Sequence, residues 1–64
     1  MNLSTHRRIQ LANMLDVAAT ERVRYYCNAQ KASWIGNHAA AIFFTRMAFR
    51  WEQIRQHCCR RLYP

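Results

Sequence analysis

One dipeptide, Gly36-Asn37, constrains this chain more than any other feature, because no other glycine occurs and the single proline is Pro64. A chain with one turn signal in 64 residues can form two long elements and little else. On either side of that signal the apolar residues recur at alternating spacings of four and three, the mark of a helix with one buried stripe. In the first half the row is Leu11, Leu15, Ala18, Arg22, Tyr25, Ala29 and Ala32. In the second half it is Ala40, Phe44, Met47, Trp51, Ile54 and Cys58. Ala12, Met14, Ala19 and Tyr26 widen the first stripe, as in a helical bundle rather than a two-stranded coil.

These patterns predict a helix over about 5–32, a turn over about 33–37 and a helix over about 38–61, within a single domain spanning 1–64. Ser4 and Thr5 are candidate caps for the first helix, Gly36 can take positive φ at its end, and Asn37 can cap the second. So short a connection predicts an antiparallel helical hairpin, and the fold class is all-α. Folding the chain about Trp34 and Ile35 sets Tyr25 against Phe44, Arg22 against Met47 and Ala18 against Trp51. The same register sets Leu15 against Ile54 and Leu11 against Cys58, and it seats the small Ala18 under the large Trp51.

Two helices cover each other poorly. Ordering a chain of this size costs about 1.5 kcal/mol per residue, which a small core offsets only with help. Three cysteines, Cys27, Cys58 and Cys59, cannot all pair within one chain, so no disulfide framework is expected. Self-association remains, and Trp34, Ile35, Ile42, Phe43 and Phe49 stay outside the seam to supply an interface. A homodimer forming a four-helix bundle is the expected assembly.

Charge points to possible partners. Ten Lys and Arg residues, nine of them Arg, face three acidic ones, for a net charge of +7. Such a balance favours polyanions or acidic protein surfaces. Arg46, Arg50, Gln53, His57 and Arg60 repeat the four-three rhythm on another face of the second helix, and they could follow a phosphate backbone. The competing reading is a solvated face, since no helix-turn-helix, ribonucleoprotein or zinc-finger signature accompanies the stripe. Arg22, inside the first apolar row, reads as a guanidinium that reaches outward, stacks on Trp51 or pairs with Glu52. The alternative for it is a buried anion receptor.

Other chemistry finds little footing. His57, Cys58 and Cys59 diverge by about 100° per residue on a helix and cannot readily close on one metal, so no metal or cofactor is expected. Adjacent Cys and His side chains also point apart, and three scattered carboxylates form no acid–base pair, so no enzymatic activity is expected. Ile42-Phe43-Phe44 could mark a membrane-surface helix, but the seam accounts for Phe44 and dimerisation for its neighbours. Asn13, Asp16 and Glu21 interrupt any signal-peptide core after the basic start, and the uncharged run Ala32–Thr45 is too short and polar to span a bilayer. The expected setting is the cytoplasm, with reduced thiols.

In size and layout, an Arg-rich, Cys-containing chain of two helices about Gly36-Asn37, the whole of Met1 to Pro64 resembles the short helical proteins of lambda-like temperate phage early operons. The resemblance is to the small reading frames between the exonuclease and excisionase genes. It implies a non-enzymatic accessory protein of the bacterial host cytoplasm that modulates host physiology or the lysis–lysogeny choice. It assigns no functional residue. In architecture alone the chain also resembles the dimeric plasmid copy-number RNA-binding hairpins. Two functions are therefore expected to compete: a helical dimer that regulates by binding another protein, and a nucleic-acid-binding dimer that uses the basic stripe.

Overall fold

A computed structural model describes residues 3–64 as two α-helices packed against each other, α1 over Thr5–Trp34 and α2 over His38–Leu62. The fold measures 48 × 14 × 12 Å, and its long dimension is essentially α1, whose 30 residues rise about 45 Å. Ser4 caps α1, with the Arg7 amide donating to its Oγ at 3.2 Å. Asn37 caps α2 through Oδ1, which accepts from the Ala40 amide at 3.1 Å. Each cap satisfies an N–H that the first turn of a helix leaves without a partner.

Between the helices, the Asn37 amide donates to the Ala32 carbonyl at 2.9 Å and the Gly36 amide to the Ser33 carbonyl at 3.1 Å. These are the paired bonds of a Schellman cap, and they require the left-handed conformation that Gly36 adopts at φ +79°. That cap also fixes where α1 stops. With Gly36 just past Ile35, the last helical residue is Trp34, so α1 runs two residues beyond the end expected near residue 32.

The helices meet along the four-three rows. Leu11, Ala18, Ala29 and Ala32 of α1 and Ala48 and Cys58 of α2 are buried. Leu15, Arg22 and Tyr25 from α1, and Ala40, Phe44, Met47, Trp51 and Ile54 from α2, are half-buried. Alanines make up three of these seven α1 residues, while α2 contributes mainly large side chains, so small positions on one helix receive large ones from the other. Tyr25 and Phe44 lie 6.2 Å apart between ring centroids, and Phe43 meets Phe44 edge-on at 5.5 Å. Both are favourable aromatic arrangements.

The core is thin. Among the described residues, Leu11 is the one large aliphatic side chain that is buried. On α2 the covered arc is wider than the seam, because Ala41, Ala48, Arg55 and Leu62, spaced seven apart, are also buried or half-buried. The helix is therefore rotated about its axis so that this row, next to the seam, faces α1 as well.

Candidate interaction surfaces

Three surfaces of this hairpin stand exposed. The first is its tip. Trp34 is 90% exposed and Ile35 is 80% exposed, although the backbone beneath them is held by the Schellman bonds. A large aromatic on a fixed turn gives up little conformational freedom when it is covered.

A flank forms the second surface. Arg22 and Tyr26 from α1 and Thr45, Ala48, Phe49 and Glu52 from α2 line a groove between the helices. Its walls are aromatic, with Tyr26 58% and Phe49 63% exposed. Its polar end is a charge cluster. Glu52 accepts hydrogen bonds from Arg55, whose Nε is 2.9 Å away, and from the Gln56 amide at 3.3 Å. Arg22 Nε lies 2.9 Å from Glu52 Oε2, the same oxygen that accepts from Arg55 Nε, but it is not aligned for a hydrogen bond, so this contact is an ion pair. The Arg55 hydrogen bonds outweigh the opposing desolvation and, with the Arg55 and Arg22 charges and the Gln56 bond, lower the Glu52 carboxyl to about 2. The same hydrogen bonding raises Arg55. Of the readings open to Arg22, pairing with Glu52 is the one present.

The outer face of α2 is the third surface. Arg46, Arg50, Gln53, His57 and Arg60 are all exposed on the side turned away from the buried arc. Among the described residues, the ion pairs are Arg22–Glu52, Arg24–Glu21 and Arg55–Glu52, so none of the stripe's cations has a carboxylate partner. Arg60 Nε reaches the Gln56 carbonyl of its own helix at 3.4 Å. The stripe is long and open, and its charged members, Arg46, Arg50 and Arg60, are all cations. Its His57 also borders a hollow at the open end of the hairpin, beside Leu11, Met14, Val17 and Cys58.

The five apolar residues assigned to an interface are all exposed, but the structure does not bring them together. Trp34 and Ile35 sit at the tip, Phe49 on the grooved flank, and Phe43 with Phe44 and Tyr25 on the other flank. Ile42 is one helical turn into α2, on the Phe49 side. Sequence reasoning missed Arg55 as a member of the charge cluster and Ala48 as a buried residue. Both were detectable in principle: Glu52 and Arg55 have the i, i+3 spacing of a helical ion pair, and Ala48 and Arg55 belong to the seven-residue row beginning at Ala41.

The three thiols are free, with Cys27 exposed, Cys58 buried and Cys59 between. Arg55 Nη1 approaches Cys59 Sγ at 3.8 Å. Among the described residues no group of three or more His, Cys, Asp or Glu side chains could hold a metal ion, and no helix is long and apolar enough to cross a membrane. No protein-family profile, curated protein sequence or solved structure matches this chain.

Proposed function

We propose that this chain is a small non-enzymatic regulatory protein, of the phage early-operon kind, that acts as a helical-hairpin dimer by binding another protein. The observation that carries the reading is the tip: Trp34 and Ile35 are 90% and 80% exposed on a turn whose backbone is already ordered. Tryptophan is among the residues that most often dominate binding energy at interfaces, and a pre-ordered turn lowers the entropy lost on docking. The test is affinity capture from a bacterial lysate with the wild-type chain and with Trp34→Ala/Ile35→Ala, whose far-ultraviolet circular dichroism should match wild type. A partner held by wild type through washes of high salt and lost with the variant supports the tip. Equal capture by both removes the tip from the function.

A second reading rests on a separate observation. The outer stripe of α2 carries Arg46, Arg50, His57 and Arg60 exposed and without carboxylate partners among the described residues. In this reading the dimer binds nucleic acid through phosphate contacts. Such contacts release counterions, so affinity falls steeply with salt. Fluorescence anisotropy of labelled DNA and RNA at two salt concentrations separates the readings. Salt-sensitive binding abolished by Arg46→Glu/Arg50→Glu would favour the stripe over the tip.

A further inference from the structure

Each helix carries a second four-three row that its partner helix covers only in part. On α1 the row is Ile9, Ala12, Asp16, Ala19, Val23 and Tyr26, of which Ile9, Val23 and Tyr26 are at least half exposed. On α2 it is Ile42, Thr45, Phe49, Glu52, Gln56 and Cys59, with Ile42 and Phe49 more than half exposed. The two rows border the same flank, because Tyr26 from one and Thr45, Phe49 and Glu52 from the other line a single groove. Two seams per helix, one used within the hairpin and one open, is the pattern of a helix that belongs to a four-helix bundle.

We infer that this flank seats a second copy of the same chain, in an isologous dimer that closes the bundle across Val23, Tyr26, Ile42 and Phe49. The inference rests on the dimeric reading above and adds which face the copies share. Surface area supports it. The chain exposes 5198 Å², against about 4,300 Å² expected for a compact monomer of 7.7 kDa. The excess of about 900 Å² is close to the roughly 800 Å² that each partner buries in a standard interface.

Charge supports the same choice of face. Two chains of net charge +7 repel wherever their cations meet. Midway along this flank the charged groups are Asp16, Arg22, Glu52 and Arg55, two anions and two cations, and the further cations Arg8 and Arg60 border it only towards the open end of the hairpin. The outer face of α2 has no carboxylate to offset Arg46 and Arg50, and these two stay turned outward when the flanks meet. In such a dimer the tips also remain open, and Phe43 lies on the uncovered side.

The test is the mass of the full chain by sedimentation equilibrium, with Val23→Glu on α1, Phe49→Glu on α2 and Val17→Glu on the opposite flank as a control. The expected wild-type mass is twice 7.7 kDa. Val23→Glu and Phe49→Glu should each return it to 7.7 kDa with helical circular dichroism retained, while Val17→Glu stays dimeric. Should either variant lose helix, methyl broadening by a soluble paramagnetic agent in the wild-type dimer decides, with Val23 protected and Val17 not. A monomeric wild type overturns both the dimer and its face. A dimer in which Val23 is unprotected, or which survives both flank variants, overturns the face alone.

Discussion

Trp51 and Phe49 are two residues apart on α2 and belong to rows of identical spacing, yet one is packed against α1 and the other is 63% exposed. The comparison extends to the whole molecule. The inner rows carry Leu11, Leu15, Trp51 and Ile54, while the outer rows mix Ala12, Ala19, Val23 and Phe49 with Asp16, Glu52 and Gln56. Periodicity marks both as faces that another helix can cover. What separates them is the absence of carboxylates from the inner rows, where the only charged side chain is Arg22, long enough to carry its guanidinium out to Glu52. An inner row can then be desolvated at little electrostatic cost, whereas an outer row needs its charges paired first.

Truncating the two aromatics in parallel should separate the inner and outer rows most clearly. Trp51→Ala removes a large seam side chain and should cost about 3 kcal/mol or more, enough to abolish cooperative thermal unfolding in so small a chain. Phe49→Ala should leave the unfolding of a single hairpin within about 0.5 kcal/mol of wild type, and its effect should appear in association instead. Circular dichroism melts at low protein concentration read both. Equal losses would merge the two rows into one core.

Adding volume tests the same distinction more gently. Ala18 is 0% exposed beneath α2, so Ala18→Leu should destabilise by about 1–3 kcal/mol through overpacking. Ala12→Leu on the exposed row should change stability by about 0.5 kcal/mol at most. The turn is the next smaller effect. A Cβ on Gly36 would meet nothing within 4 Å, so Gly36→Ala should cost only the backbone term of a non-glycine residue at φ +79°, about 1 kcal/mol. Helical content should be unchanged.

Smallest is the acid response of the charge cluster. Glu52 is lowered in the folded chain from 4.5 to about 2, so its contribution is fully present above pH 4.5 and is lost as pH falls towards 2. Thermal midpoints of wild type should decline over that window, and Glu52→Gln should flatten the decline. Because Arg22 and Arg55 remain partly solvated, the change should be modest, and it should shrink with added salt.

Much of the hairpin was legible because its local signals are undiluted. Gly36 and Asn37 stand alone as a turn signal, and no Gly or Pro interrupts the stretch from Leu11 to Ala32. The register that sets Tyr25 against Phe44 follows once two rows are folded about one point, and the rings do meet. The candidate surfaces were harder. Trp34, Ile35, Ile42, Phe43 and Phe49 are recognisable as residues outside the seam, but a list of exposed residues does not say which share a face.

The number of helices, the place of the turn at Gly36-Asn37 and the residues fit for burial follow from the chain alone, because each depends on backbone preference and spacing within a few turns. Tertiary structure decided the rotation of α2 about its own axis. That rotation turns Ala48 and Arg55 towards α1 and sets Glu52 between two arginines, one of them from the other helix. It also leaves the row through Phe49 open. Two rows of equal period on one helix are equivalent in spacing. The choice between them rests on side-chain volume and charge across the interface, which exist only when both helices are in place.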